Sequence, residues 1–250
     1  MVSGINIKLL IVICVFLWLG MVISNTPAVW GAWMVQQAGP VQMSQVSGSL
    51  WSGRAAEVVL KVDRKPFLLG ALKWDLNPLS LLILRPCADV NLEAEGQNMR
   101  ANLCAGFGGL QLSQGDLKFS AGVLTPWLPT QISGLITARI AEAGVDSHFN
   151  VNELAGNLSW SEASVYNGSE WMALGAYSAD LSVDGNGGII ADVIDRGGPL
   201  QLRMQVLAKE GLALKGSVLL RKDAPPAIQQ SLPLVGDKQA DGSYAIDMSL

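Results

Sequence analysis

One histidine serves all 250 residues, and that scarcity removes most familiar catalytic and metal-binding arrangements. His148 lies between Ser147 and Phe149, with no cysteine or acidic cluster at ligand spacing, and reads as a turn or surface residue. No nucleophile elbow occurs, although a Ser-His-Asp set is spatial and stays open to structural test. Gly106-Phe107-Gly108-Gly109 lacks both the Lys-Ser/Thr pair and the following helix of a phosphate cradle, so it reads as a turn. Charge is also scarce: 15% of residues, against roughly 25% in ordinary soluble domains. The net charge is −4, the isoelectric point is near 5.0, and no basic stripe appears, which argues against nucleic acid. Acids such as Asp180 and Asp184 alternate with apolar residues, as on a solvated strand face. No enzyme class, metal or cofactor is indicated.

What the chain does have is apolar surface and glycine, with 50% hydrophobic residues and 27 glycines. Ile5–Ile23 carries one charge, Lys8, and comes close to the roughly 20 residues that cross a bilayer as helix. The alternative is a cleaved leader, since Thr26-Pro27-Ala28 offers small residues near a cut site. The weakly basic start, the long apolar run and Pro27 favour an uncleaved anchor. Lys8 precedes the span and the next basic residue is Arg54, so the positive-inside rule exports everything beyond the anchor. Pro27 to Gly39 then predicts a short apolar helix stopped by Gly39-Pro40. Its Trp30 and Trp33 suit a membrane interface, or equally a lid docked on the following domain.

From Val41 onward period two dominates. Leu72, Trp74 and Leu76 alternate with Lys73 and Asp75; Leu117, Phe119 and Ala121 with Lys118 and Ser120; Leu202, Met204 and Val206 with Arg203 and Gln205. Tyr244, Ile246, Met248 and Leu250 close the chain in the same way. Each predicts a strand with one buried face. Asn186-Gly187-Gly188 and Lys209-Glu210-Gly211 predict hairpin turns. Short helices are expected at Pro78–Leu84, capped by Asn77, and at Pro226–Leu232, with Thr125–Thr130 as its loose counterpart.

The β pattern echoes itself. Phe67–Leu76, behind Val46–Gly53, resembles Met172–Leu181 behind Leu154–Ser161. The run opening at Asp89, with Gly96 at its turn and Gly108-Gly109 beyond, resembles the run opening at Asp180, with Gly187 and Gly197-Gly198. We expect a mainly β fold behind one transmembrane helix: a twisted antiparallel sheet or open roll of two tandem repeats. The boundaries are 1–4 for a cytoplasmic tail, 5–25 for the anchor, 26–40 for a juxtamembrane helix, 41–142 for repeat 1 and 143–250 for repeat 2, joined through a short link at Ala143–Ser147. Repeats that stack build surfaces, and surfaces bind. The apolar face of such a sheet is either packed core or an exposed groove for lipid or protein.

Cys14 lies inside the apolar span. If Glu95-Gly96 is a two-residue loop, residue 94 pairs with 97, and Cys87 falls opposite Cys104. That register sets Ala88, Val90 and Leu92 against Leu103, Ala101 and Met99 on one face. It predicts a cross-strand disulfide in an oxidising compartment, two free thiols being the alternative. Ser178 and Asp195 stand at the matching places of the second copy.

Thr26-Pro27-Ala28, Val-Ser-Gly-Ser-Leu-Trp-Ser-Gly (Val46–Gly53) and Trp-Asp-Leu-Asn-Pro-Leu-Ser-Leu-Leu (Trp74–Leu82) together resemble the type II secretion system protein N family. The family commonly has Thr where this chain has Ser49. The resemblance implies an inner-membrane protein with a periplasmic domain, in the machine that carries folded proteins across the outer membrane of a Gram-negative bacterium. It implies a non-enzymatic role in assembly or stability, with inner-membrane platform proteins and the outer-membrane secretin as partners. The motif positions carried over are Gly48, Leu50, Trp51, Gly53, Trp74 and Pro78. The glycines would allow a tight strand entry and the tryptophans would fill the core, with a binding role for Trp51 as the alternative. A membrane-anchored lipid-transfer groove is the competing reading of the whole chain.

Overall fold

The alternating stretches form strands because successive side chains on extended backbone point to opposite sides, so period two separates an apolar from a polar face. The computed structural model describes residues 7–62, 65–128, 130–148, 150–209, 211–222 and 224–249. Within these, α1 (Ile7–Ser24) and α2 (Ala28–Ala38) precede β1 (Val41–Ser44), β2 (Ser47–Gly48), β3 (Ser52–Val62), β4 (Lys65–Asn77) and β5 (Cys87–Ala94). There follow β6 (Gln97–Gly106), β7 (Gly109–Ser120), β8 (Ile132–Val145), β9 (Val151–Tyr166), β10 (Trp171–Val183), β11 (Ile189–Gly197), β12 (Leu200–Ala208) and β13 (Leu212–Leu220). Helix α3 (Pro226–Val235), β14 (Asp237–Lys238) and β15 (Tyr244–Ser249) complete the order. The fold is mainly β, with open antiparallel pairing and few helices. Its residues fall into two compact units, Met1–Ala94 and Glu95–Leu250.

In the first unit the strands run in the order β1-β3-β4-β5, with β2 paired to β3. Leu72 faces Leu92, Trp74 faces Val90 and Leu76 faces Ala88, while Lys73 faces Asn91 on the opposite surface. Helix α2 lies where expected, with Pro27 and Gly39 at its ends. Asn77 caps the 3-10 helix Pro78–Ile83, its side chain accepting from the Leu79 amide at 3.0 Å. Among the described residues no helix is long and apolar enough to cross a membrane. Helix α1 has 18 residues, and the expected tail 1–4 and the first two residues of the expected span lie outside the described residues.

In the second unit the order is β6-β7-β8-β9-β10-β11-β12-β13-β15-β14. One row crosses nine of these strands without a polar side chain: Met99, Leu117, Ala138, Leu158, Ala179, Val193, Met204, Gly216 and Ile246. A parallel row on the other face is polar throughout: Arg100, Asp116, Arg139, Asn157, Asp180, Asp192, Gln205, Lys215 and Asp247. Helix α3 covers one corner of the apolar face, where Leu232 packs with Val218 and Ile246. Elsewhere the buried side chains along the strands are mostly alanines, and among the described residues no large side chain is fully buried.

Several local expectations shift. Strand β7 ends at Ser120, so Ala121 opens a 3-10 helix, Ala121–Trp127, which begins before the expected Thr125. The Ala143–Ser147 link is the end of β8 and the start of a tight turn into β9. Glu210 and Leu250, counted in an expected turn and strand, lie outside the described residues. The upstream echo falls on like geometry: Gly70 in β4 and Gly175 in β10 have φ of 94° and 95°, and both sit at register shifts. A Cβ at either would overlap a carbonyl of the next strand, that of Glu93 or Gly197. The downstream echo does not continue that correspondence. It sets β10 against β5, although the upstream echo has already matched β10 to β4.

Asp195 enters the apolar face opposite Tyr177. It is held there by Arg221 at 2.6 Å and by the Leu202 amide at 3.2 Å. Burial raises the Tyr177 phenol from 10.0 to about 12, with Asp195 adding to the rise and Arg221 opposing it. A raised folded-state value favours the neutral phenol, so its contribution is complete below pH 10.0 and fades as pH climbs towards 12. Tyr177→Phe should therefore flatten the stability curve across that alkaline window by about 2 kcal/mol. Urea unfolding of both proteins at several pH values checks this; equally steep curves would remove the assignment.

Candidate functional site

The motif residues converge on the point where the N-terminal helices enter the sheet. Ser49 pairs with Pro27, and the Leu50 amide donates to the Thr26 carbonyl at 2.8 Å. The Leu50 carbonyl in turn accepts from the Trp74 indole Nε1 at 3.0 Å. The Leu76 amide donates to the Trp51 carbonyl at 2.6 Å. A chain of hydrogen bonds thus stitches the end of α1 to β4. Gly53 lies flat beneath Trp74, and a Cβ there would overlap the indole ring. Gly48 has φ of 95°, and a Cβ there would sit 2.6 Å from the Ser52 carbonyl oxygen, so the tight entry needs glycine. Gly48, Gly53 and Trp74, with Arg54, Lys73 and Asp75, line a shallow cavity of about 360 Å³. Trp51 and Trp74 are half-buried rather than sealed in a core.

Helix α2 seats its small face on this junction. Ala28 and Ala32 are buried, and a Cβ on Gly31 would stand 2.7 Å from the Leu50 side chain. Small residues there let the helix approach closely and turn Trp30, Trp33 and Met34 outward, each more than half exposed. Pro78 opens the loop after β4. That loop was expected only as a turn of helix, yet it carries an exposed aliphatic cluster, Leu79, Leu82, Ile83 and Leu84. The available signal was the unalternated run Leu-Ser-Leu-Leu-Ile-Leu directly behind a proline.

Cys87 and Cys104 form the expected disulfide, and Cys14 is free. His148 occupies an exposed turn in which its amide donates to Asp146 Oδ1 at 2.7 Å. Asp146 is lowered below the usual carboxylate range, chiefly by the Asn150 side chain. Asp184 is lowered likewise by the Gly188 and Asn186 amides, so both acids clamp turns. Among the described residues no group of three or more His, Cys, Asp or Glu could hold a metal ion. Two shallow cavities of the second unit lie on its polar face, one among Asp116, Arg139 and Asn157 and one among Asp192, Gln205 and Lys215.

The family model for type II secretion system (T2SS) protein N matches residues 39–247. The chain belongs to this family. It is 22% identical over 220 residues to the type II secretion system protein N of Aeromonas hydrophila, covering 82% of each chain. No solved structure matches it. The matched stretch begins at Gly39 and takes in every strand except the last residues of β15.

The Gly53–Trp74 contact gives a direct test of the junction. Gly53→Ala should lower stability by about 1–3 kcal/mol, because a rigid ring must move off a well-packed seat. The loss should shrink in a Trp74→Leu background, which urea titration of the two single variants and the double variant measures. Equal losses in both backgrounds would show that the indole is not what excludes a side chain.

Proposed function

We propose that this chain is a non-enzymatic, inner-membrane component of a type II secretion system that supports assembly or stability of the exporting machine. The observation that carries the reading is the family match across almost the whole sheet-forming region. Helix α1 is the anchor: eight large apolar side chains along it, from Leu10 to Val22, are about half exposed or more, with only Cys14 and Gly20 among the other described side chains between them. Trp30 and Trp33 lie at the headgroup level beyond it. The N-terminus is cytoplasmic and the sheet is periplasmic, where its disulfide can form.

Partners are inner-membrane platform proteins and the outer-membrane secretin. They dock on open strand edges: β1 pairs only with β3, and β14 covers only Tyr244 and Ala245 of β15, leaving the outer side of Ile246–Ser249 without a strand among the described residues. Such edges take an added strand. One observation favours a second reading, a lipid-carrying groove: among the described residues the apolar face of the second unit buries no large side chain completely.

In-cell photo-crosslinking separates the two. Probes replacing Trp33 and Gln201 should yield adducts with platform proteins or the secretin. Adducts with phospholipid alone would replace the assembly role by the lipid role.

A further inference from the structure

The loop after β4 has its polarity inverted. Leu79, Leu82, Ile83 and Leu84 are 72%, 80%, 71% and 67% exposed, and Leu81 is 37% exposed. Within Pro78–Leu84 the one polar side chain, Ser80, is buried, and the exposed Arg85 follows at the C-terminal root; the Ser80 hydroxyl donates to the Asn77 carbonyl at 2.5 Å and accepts from the Cys87 amide at 2.9 Å. An ordinary water-facing loop would turn the serine out and the leucines in.

We propose that this loop is a second membrane contact, inserting its aliphatic side chains into the interfacial layer of the bilayer that holds α1. The proposal rests on the reading of α1 as the anchor. Three features of the first unit single out lipid as the occupant. The first is position. The Thr26 carbonyl, two residues beyond the end of α1, accepts from the Leu50 amide, and the adjacent Trp51 carbonyl accepts from the Leu76 amide, one residue before Asn77. Two strand spacings, about 10 Å, therefore separate Thr26, just past the anchor, from the root of the loop. A bilayer entered by α1 lies within reach of the loop.

The second feature is backbone satisfaction. Polar backbone groups that enter lipid need internal partners. The Leu79 amide is bonded to Asn77 Oδ1, the Leu84 amide to the Leu81 carbonyl, and the Arg85 amide to the Ser80 carbonyl. The third is preorganisation. Asn77 and Pro78 fix one root, and the disulfide-bonded Cys87 lies at the other. Little ordering remains to be lost when the side chains enter lipid. The run Pro78–Leu84 holds no charge, and Trp30 and Trp33 line the neighbouring exposed helix. A single helix leaves a body free to swivel; a second contact fixes which side faces the bilayer.

The test uses the full chain in vesicles of phosphatidylethanolamine and phosphatidylglycerol. An environment-sensitive fluorophore is placed by Leu82→Cys or, separately, by Val15→Cys, each in a Cys14→Ser background. Nitroxide-labelled lipids quench from the bilayer and iodide quenches from water. The expected result is a blue-shifted Leu82 probe quenched by shallow nitroxides, and a Val15 probe quenched by deep ones. Adding Leu79→Asp and Ile83→Asp should abolish lipid quenching at position 82 and leave position 15 unchanged. Because both residues are exposed, circular dichroism of that variant should match the parent. A Leu82 probe open to iodide beside a lipid-quenched Val15 probe would overturn the loop and keep the anchor. A Leu82 probe shielded from both quenchers would assign the loop to a protein partner or a second copy, and would also overturn it. Loss of lipid quenching at Val15 would instead overturn the anchor itself.

Discussion

The register of the antiparallel ladder is the constraint on which the rest of this structure depends. In the second unit it aligns nine apolar positions from Met99 to Ile246 on one face and nine polar ones from Arg100 to Asp247 on the other. A slip of one residue in any strand would carry its polar set into the apolar row. Positive-φ glycines such as Gly175 absorb the local irregularities without losing that alignment. Among the described residues of this unit, α3 covers only a corner of the apolar face, and the 3-10 helix Ala121–Trp127 packs beside β8. The larger positions of that face, such as Met99, Leu117, Leu158 and Val193, are only partly buried.

The strands were legible because period two is a strong signal where one face is buried. Leu72-Trp74-Leu76 and Leu202-Met204-Val206 fall on strands with the expected faces. The disulfide was legible for the same reason, since the loop Glu95-Gly96 and the alternation around it together fixed one pairing. Helix ends were read from Pro27, Gly39 and Asn77, whose backbone preferences act locally. The repeat was harder to place, because any two antiparallel hairpins with Gly turns resemble each other. Only the bulge glycines Gly70 and Gly175 distinguish like geometry from like composition.

The junction was legible only as a motif. Nothing in the spacing of Gly48, Leu50, Gly53 and Trp74 announces that an indole will lie on Gly53 and bond the Leu50 carbonyl, because that contact joins strands 24 residues apart. Nor does composition reveal that Ser80 turns inward while its aliphatic neighbours turn out; the capping bond to Asn77 and the Cys87 amide decide it. At this junction the short stitch from Thr26 through Leu50 to Trp74 fixes where the first helix leaves the sheet. It thereby determines which residues can meet whatever surface that helix enters.

That the sheet is held at a membrane by α1, rather than released after loss of a leader, is the central claim. The most direct measurement is alkaline extraction of membranes from cells making the full chain, with the mass of the recovered protein determined. The account predicts a protein retained with the bilayer and carrying residues 7–24 intact. A protein freed into the supernatant and beginning near Thr26 would contradict it.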